Sequence, residues 1–301
     1  MGGFFLSLTA ALCWGVLPLA LKRTLDQLDP LTVTFYRFAF AALALLVIPK
    51  VRKGIGTTSW TFGIIALLVM AAGGLFGNYV LFLAGVKHSS PNNAQVMIQS
   101  APMLFALTSA FLFKERISPM RGFAFVGLLG GLCLFSWDQL ATLLGPDAAE
   151  YSLGSMLVVA SAVTWVFYAV GQKVLLRVMP SLSMLALLFL AGAVVFSLPA
   201  TPLAILDMDR VHWLLLAFCS INTVVAYGAF AEALRVWDAS RVSAVLSISP
   251  ILTMSSTALV QLAFPGTVKS PEIHLLGVVG AFLVVASSMG ASLIGSKRPS
   301  T

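Results

Sequence analysis

The sequence contains few charged residues. Only 10% of its 301 residues are charged, while 59% are hydrophobic, and soluble domains carry about 25% charged residues. So few charges cannot cover a surface that faces water on every side, which excludes an ordinary soluble domain. The apolar residues form runs of roughly 18 to 25, the length that crosses the hydrocarbon core of a bilayer. The sequence therefore predicts a multi-pass membrane protein.

Residues that build metal and catalytic sites are also scarce. The three cysteines, Cys13, Cys133 and Cys219, lie in apolar runs without the spacing of metal ligands, so neither a disulfide framework nor a zinc site is expected. The sequence has no phosphate-binding glycine loop, no nucleophile elbow and no converging set of His, Asp or Glu in its apolar runs. We therefore expect no enzyme activity, no cofactor, no metal and no ATP-driven step. The net charge of +7 is interpreted as a sign of membrane topology and not of nucleic-acid binding.

Ten apolar segments are separated by short connections. The longest connections, 137–150 and 200–210, leave no room for a soluble domain. Prolines stand at the starts of several segments, where a missing N–H removes no helical hydrogen bond. The predicted helices span roughly 4–21, 31–49, 61–83, 92–113, 119–136, 151–172, 181–199, 211–233, 240–263 and 273–295.

Basic residues set the predicted orientation in the membrane. When the N-terminus is placed in the cytoplasm, twelve Lys and Arg fall on the inner side, five fall on the outer side, and Arg37 lies inside a helix. Because cytoplasmic loops carry an excess of Lys and Arg, this bias predicts that both the N-terminus and the C-terminus are cytoplasmic.

The second half of the chain repeats the first after about 150 residues. Trp14 is matched by Trp165, and Tyr79 is matched by Tyr227, at offsets of 151 and 148 residues. A repeat of five helices is odd in number, so the two halves must cross the membrane in opposite directions. We therefore predict an all-α integral membrane fold of ten transmembrane helices, built as two inverted-topology repeats with a site between them near the midplane.

The segment Ser100–Ser118 carries a proline, an apolar run, and then Glu-Arg and Ser at its end. It resembles the fourth-helix signature of the drug/metabolite transporter superfamily, in its ten-helix form with paired EamA domains. Arg37 stands where that family often has an arginine, although the second half has no counterpart. The resemblance covers essentially the whole chain and implies two EamA-like repeats of five helices, 1–140 and 141–301. It also implies an exporter of small metabolites, such as amino acids, in the bacterial cytoplasmic (inner) membrane, and it leaves a homodimer open.

Polar and aromatic residues in the repeated helices are the candidate substrate contacts. Asn92, Gln95 and Gln99 stand at i, i+3 and i+7 on one face of an apolar helix, and serines occupy the matching places in the second half. Inverted repeats bring equivalent residues to a common centre, and neutral amides suit a small polar or zwitterionic substrate. The alternative is that these groups only form hydrogen bonds between helices. The predicted substrate-binding residues are Trp14, Tyr79, Asn92, Gln95, Gln99, Trp165, Tyr227, Ser243 and Ser247.

Arg37 is the clearest charge inside an apolar segment. It is interpreted either as a contact for an anion or a carboxylate, or as a structural arginine that binds helix-end carbonyls. No Asp or Glu lies clearly at membrane depth, and the first helix carries no acid. We therefore expect no obligatory proton coupling through a carboxylate.

Two other kinds of transport protein are left open. A sugar-phosphate or nucleotide-sugar exchanger would carry basic residues deep in both halves, and only Arg37 qualifies. A channel is the third option, which single-channel currents in planar bilayers would favour. The preferred prediction is a secondary transporter of a small-molecule substrate that works by alternating access in a lipid bilayer.

The predicted topology has a direct test. A reporter enzyme that folds only in the cytoplasm should be active when fused to the C-terminus, because an even number of spans returns the chain to the side where it began. A reporter that works only in the periplasm should be inactive at the same position. The opposite pattern of activities would contradict both the helix count and the orientation.

Overall fold

The computed structural model describes residues 2–113, 119–138, 148–237, 239–266 and 273–294. Within these ranges the chain is helical apart from short connections and one 3₁₀ turn at Pro202–Asp207, and it contains no strand. The α-helices are α1 (Gly2–Thr24), α2 (Pro30–Leu46), α3 (Pro49–Gly56), α4 (Phe62–His88), α5 (Pro91–Met97), α6 (Ser100–Phe113), α7 (Pro119–Asp138), α8 (Ala148–Leu175), α9 (Ser181–Ser197), α10 (Arg210–Val236), α11 (Ala239–Leu246), α12 (Ser249–Ala263) and α13 (Leu275–Ile294).

The helices have the length and composition of membrane spans. Among the described residues, five are long and apolar enough to cross a bilayer, and the number is six if α2 and α3, which meet at 89°, form one bent span. Three shorter apolar helices lie at 122–137, 181–197 and 275–290. The all-α membrane fold predicted from the sequence is confirmed, whereas the count of ten spans stays a prediction.

Each of the ten predicted segments contains at least one helix, and two of them contain a break in addition to the bend between α2 and α3. Residues 98–99 separate α5 from α6, and residues 247–248 separate α11 from α12. In both breaks the first serine of the second piece donates its Oγ–H to the carbonyl three residues earlier, at 2.9 Å from Ser100 and 2.7 Å from Ser249. A proline follows within two residues each time, and proline cannot donate the bond that a continuous helix needs. The same local chemistry therefore breaks the helix twice, 149 residues apart.

The largest helix interfaces join the part of the chain before residue 139 to the part after residue 147. They are α4 with α8, α1 with α10, α2 with α9, and α7 with α13. In the predicted repeat, α1, α2, α4 and α7 of the first half correspond to α8, α9, α10 and α13 of the second. When each helix is replaced by its counterpart, the α4–α8 pair becomes the α10–α1 pair, and the α2–α9 and α7–α13 pairs are unchanged. This symmetry of contacts is what two similar halves packed face to face would produce. The division at residues 140 and 141 and the opposite directions of the halves stay predictions.

Matching hydrogen bonds join the helices of the two exchanged pairs. Asn78 Nδ2 on α4 donates to the carbonyl oxygen of Ser161 on α8 at 3.0 Å. Asn222 Nδ2 on α10 donates to the carbonyl oxygen of Cys13 on α1 at 2.8 Å. Amide side chains that reach a neighbouring backbone in this way hold helices together in lipid.

A lysine of α1 caps the C-terminal end of α4. Lys22 Nζ donates to the carbonyl oxygens of Val86, Lys87 and Ser89 at 3.1, 2.6 and 2.7 Å. The last carbonyls of a helix have no intrahelical partner and carry the negative end of its dipole, so a positive charge there is favourable. This contact fixes α1 against α4 at one end of the molecule.

Glycines allow helices of the two halves to approach each other closely. A Cβ at Gly74 would lie 2.5 Å from the backbone nitrogen of Tyr168, and a Cβ at Gly131 would lie 2.8 Å from the carbonyl oxygen of Gly280. Helices in lipid associate through van der Waals packing, so small residues at the contact let the two backbones approach.

The contact at Gly74 predicts a difference between two neighbouring glycines. Gly74→Ala should lower the free energy of unfolding in detergent by about 1–3 kcal/mol, because the added methyl group would overpack the α4–α8 interface. Gly73→Ala is the matched control, since a Cβ there meets nothing within 4 Å. Thermal unfolding followed by size-exclusion chromatography measures both. Equal melting temperatures for the two variants would contradict the close packing.

Candidate functional site

An aromatic cluster lies between the two halves and contains four of the predicted site residues. The rings of Trp14 and Tyr227 meet edge to face at 5.4 Å between centroids, and the rings of Tyr79 and Tyr227 lie 6.2 Å apart. Trp165 lies 6.3 Å from Tyr168, and Tyr168 is buried in the same core as Tyr79 and Tyr227. Edge-to-face pairs at these distances attract each other beyond their buried area. The structure therefore brings the rings of Trp14, Tyr79 and Tyr227 together and places Trp165 beside Tyr168 of the same core. The contact of these residues with a substrate stays a prediction.

The helices that supply the cluster explain its position. Trp14 comes from α1, Tyr79 from α4, Trp165 from α8 and Tyr227 from α10. These four helices are the members of the α1–α10 and α4–α8 pairs, which join the halves. Because each half supplies two of the helices, any movement of one half against the other changes the shape of the cluster.

Arg37 lies on α2, against this cluster. Its side chain is 2% exposed. The guanidinium carbon stands 4.6 Å above the centre of the Tyr79 ring, and Nε donates to Thr223 Oγ1 at 2.9 Å. The Thr223 hydroxyl in turn donates to the carbonyl oxygen of Cys219 at 2.9 Å. A ring face and a hydroxyl therefore hold the positive charge in place between α4 and α10.

The predicted amide stripe lies near the break between α5 and α6. Asn92, Gln95 and Gln99 are all buried, and Gln99 is one of the two residues of the break. Asn92 Oδ1 accepts from Thr257 Oγ1 at 3.1 Å, which ties α5 to α12 of the other half. Broken helices are tolerated in lipid only where they are buried in protein or line a cavity. We therefore expect Gln99 to face one of these two environments and not lipid.

A different face of α5 borders a cavity. Asn93 Nδ2 donates to Ser155 Oγ on α8 at 3.0 Å. Next to this contact lies a cavity of about 210 Å³ between α5, α7 and α8, lined by Asn93, Met97, Ser136, Tyr151 and Ser155, among others. The stripe predicted from the sequence and the lining of this cavity are therefore neighbouring faces of one short helix.

Of the two serines predicted to bind substrate in the second half, the structure describes the side chain of only one. Ser247 is buried at the break between α11 and α12, and its Oγ donates to Ser288 Oγ on α13 at 3.0 Å. Ser243 belongs to α11, but its side chain lies outside the part of the chain that the structure describes. Ser247 therefore contacts a helix of its own half, and its role in substrate binding stays a prediction.

Polar contacts join the connections at one end of the two halves. Gln27 Nε2 donates to Asp209 Oδ2 at 3.0 Å, and Gln27 Oε1 accepts from the backbone nitrogen of Asp209 at 3.3 Å. Thr201 Oγ1 donates to Asp29 Oδ2 at 3.3 Å. We call these four residues, Gln27, Asp29, Thr201 and Asp209, the polar seam. The seam therefore joins the two halves at this end.

Both aspartates of the polar seam also cap a helix. Asp29 accepts from two backbone nitrogens at the start of α2, and Asp209 does so at the start of α10. Burial raises the pKa of the Asp29 carboxyl, but hydrogen bonds, first among them those from Thr32, outweigh burial and hold the pKa below its ordinary value. A hydrogen bond from the backbone of His212 is the largest cause that lowers the pKa of Asp209 to about 2. Both carboxylates are therefore ionised acceptors at neutral pH.

Two residues of the aromatic cluster were missed by the sequence analysis. Tyr168 is fully buried, and Thr223 is the hydrogen-bond partner of Arg37. A signal was present for both. Tyr168 follows Trp165 by about one helical turn, and Thr223 precedes Tyr227 by one turn, so each shares a helix face with a residue that was predicted.

A family model matches nearly the whole chain. The model described as the EamA-like transporter family matches residues 1–137 and again residues 152–291. The two matches cover the segments in which the sequence analysis found its repeat.

Individual relatives agree with this match. The inner membrane transporter YhbE of Escherichia coli is 36% identical over 299 residues, which are 97% of this chain and 91% of the relative. The aromatic amino acid exporter YddG of Ancylobacter novellus is 29% identical over 178 residues, 56% of this chain and 58% of the relative. A Salmonella typhimurium protein named "Probable amino-acid metabolite efflux pump" is 25% identical over 84% of this chain and 85% of the relative. One solved crystal structure is 25% identical with a TM-score of 0.65, over 98% of this chain and 99% of that one.

The contact between Arg37 and Thr223 predicts a stability effect that needs no ligand. Thr223→Val should lower the free energy of unfolding by about 1.5–3 kcal/mol, because it removes the hydrogen-bond acceptor of a buried charged group. Thr164→Val is the matched control, since the Thr164 hydroxyl only donates within its own helix, to the carbonyl of Ser161 at 2.9 Å. Melting temperatures in detergent compare the two. A loss no larger than that of the control would mean that the hydrogen bond to Arg37 contributes little.

Proposed function

The chain belongs to the EamA-like transporter family and is an integral membrane transporter, and we propose that it exports small metabolites, such as amino acids, by alternating access. The observation that carries this proposal is the buried cluster of aromatic and polar side chains between two halves that each match the family model. Sites of this kind are where transporters with repeated halves bind their substrates.

The chemistry of the cluster supports a substrate that is both polar and apolar. Trp14, Tyr79, Trp165 and Tyr227 offer apolar ring faces with polar tips, and Gln95 and Gln99 offer amide donors and acceptors. An amino acid has one charged end of each sign and a side chain that such rings can cover. The names of two relatives, an aromatic amino acid exporter and an amino-acid metabolite efflux pump, also support this substrate class.

The polar seam and the two helix breaks support alternating access. If the termini are cytoplasmic, as the excess of inner Lys and Arg predicts, the seam joins the two halves on the outer side. Opening toward the outside would then separate Gln27 from Asp209 and Thr201 from Asp29. The breaks at 98–99 and 247–248 are points at which α5 and α11 can change direction relative to α6 and α12. In this proposal the protein is a multi-pass component of the bacterial cytoplasmic membrane.

The alternative, an exchanger of sugar phosphates or nucleotide sugars, has less support. Among the described side chains Arg37 is the only buried Lys or Arg, and Leu187 stands at the matching position of the second half. A phosphate group carries more negative charge than one guanidinium neutralises. A single buried cation fits a carboxylate better.

The lack of buried acids supports transport without a strict proton requirement. Among the described residues no Asp or Glu is buried, and the half-buried Glu232 lies at the end of its span, which finishes at Ala233. None of them is therefore placed as a proton carrier at the middle of the membrane. We expect the substrate to move down its own gradient.

The transport activity is tested with purified protein in liposomes. Labelled amino acids, amines and nucleosides are offered in turn, and we expect saturable counterflow of one or more amino acids that persists when an imposed pH gradient is dissipated. Collapse of the counterflow under that treatment, with the substrate gradient unchanged, would contradict the proposed energetics. Unit conductance steps in planar bilayers would show that the protein is a channel and not a transporter.

Gln99→Leu tests the amide stripe as part of the substrate site. If Gln99 binds the substrate, the variant should insert normally, remain monodisperse in detergent and show about a tenfold weaker apparent affinity, equivalent to about 1.4 kcal/mol. If the amide only joins helices, it should instead lose about 1 kcal/mol of stability and keep its affinity.

Ser287→Leu is the matched control for this variant. Ser287 is a polar residue of similar burial, 9% exposed against 7% for Gln99, and it lies in α13, which supplies no residue to the aromatic cluster. Equal losses of transport in the two variants, at equal expression, would mean that the stripe serves packing and not binding.

A further inference from the structure

Arg37 is a buried positive charge that has no counter-ion among the described residues. No carboxylate of the described residues lies within salt-bridge distance of its guanidinium. Its contacts are the Tyr79 ring and the Thr223 hydroxyl, both of which are neutral. A buried charge is costly unless it is paired and fully hydrogen-bonded, and intramembrane charges commonly mark substrate pathways. These two neutral contacts therefore do not account for the burial of the Arg37 charge.

The donors of Arg37 are only partly used. Nε is occupied by Thr223 Oγ1 at 2.9 Å, whereas Nη1 and Nη2 donate to no side chain or carbonyl in the described part of the chain. These two nitrogens form one edge of the planar guanidinium, which matches the two oxygens of a carboxylate. The hydrogen bond at Nε thus fixes the plane and leaves the carboxylate-binding edge available.

Two buried tyrosine hydroxyls in the core that Arg37 adjoins also lack partners among the described residues. The Tyr79 hydroxyl lies close to those of Tyr227 and Thr223 but makes no hydrogen bond of ordinary geometry, and the Tyr168 hydroxyl has no partner among the described residues. Tyr79 is 4% exposed and Tyr168 is 0% exposed. A buried polar atom without a partner is destabilising, and in native proteins it usually marks an absent water or ligand.

We propose that Arg37 and the hydroxyls of Tyr79 and Tyr168 form a subsite for the carboxylate group of the transported substrate. The inference rests on the proposed transport function and restricts its substrate to molecules that carry a carboxylate, which excludes simple amines and nucleosides. The guanidinium edge supplies the charge, and the two phenolic O–H groups supply neutral donors. Because Arg37 is buried in this conformation, the subsite is closed here and becomes accessible when the halves separate.

The test compares an acid with its amide. Binding of labelled L-phenylalanine to the full-length protein in detergent is competed with unlabelled L-phenylalanine and with L-phenylalaninamide, which differ only at the carboxyl group. We expect the amide to compete at least about tenfold more weakly, and we expect Arg37→Gln to abolish this difference. Equal competition by acid and amide in the unmodified protein would overturn the carboxylate subsite and leave the transport function intact.

Tyr168→Phe provides a variant that is not expected to damage the fold. It removes only an unpartnered hydroxyl, so the melting temperature should stay the same or rise. If the hydroxyl binds the carboxylate, the affinity for L-phenylalanine should fall severalfold while the affinity for the amide is unchanged. Unchanged affinity for both compounds would remove Tyr168 from the subsite.

A further measurement separates failure of the subsite from failure of the proposed function. If L-phenylalanine neither binds nor crosses the membrane, the shift in melting temperature with sodium acetate is compared with that of sodium chloride at equal ionic strength. A shift with acetate alone that is absent in Arg37→Gln would support the carboxylate subsite while the amino-acid assignment fails. Equal shifts with both salts would overturn the subsite.

Discussion

A polar group inside a bilayer has no water to bind, so its hydrogen-bond partner must come from the protein. Much of this fold follows from that constraint. Asn78 and Asn222 each donate across a helix interface to a backbone carbonyl. Ser100 and Ser249 each satisfy a carbonyl at a helix break, and Lys22 closes the end of α4. These bonds explain how a chain this apolar can contain broken helices and buried amides.

Three of the exceptions to this constraint lie in one region, while His212 Nε2 and Asn222 Oδ1 are also buried without a partner among the described residues. Arg37 keeps an unused edge, and the hydroxyls of Tyr79 and Tyr168 lack partners, while the helices around them are packed closely through glycines such as Gly74. A well-packed shell around unsatisfied polar groups is what a binding site requires, because the shell holds the donors in place and excludes water. The same cluster therefore supports both the transport proposal and the carboxylate subsite.

The sequence predicted part of the candidate site. The repeat identified Trp14, Tyr79, Trp165 and Tyr227 as a group. The rings of Trp14 and Tyr79 each contact that of Tyr227, whereas Trp165 contacts Tyr168 instead. The polar stripe was located on one face of a helix, but its neighbours were not predicted, and Asn92 contacts Thr257 while Ser247 contacts a serine of α13. Helical spacing shows which residues share a face. It does not show which helix that face meets, because that depends on contacts between distant parts of the chain.

The amino-acid sequence by itself determined the membrane class, the positions of the helices and the repeat, because the length of an apolar run, a proline and a recurring pattern are local properties. The predicted segments 92–113 and 240–263 were continuous, and only the structure showed that each is broken beside a serine and a proline. Only the tertiary structure decided that Arg37 meets Tyr79 and Thr223 and, among the described residues, no carboxylate. It also decided that the Tyr168 hydroxyl has no partner in the same part of the chain. The partner of a buried polar atom is chosen among residues far apart in sequence, and only the packing of the helices brings one of them within hydrogen-bond distance.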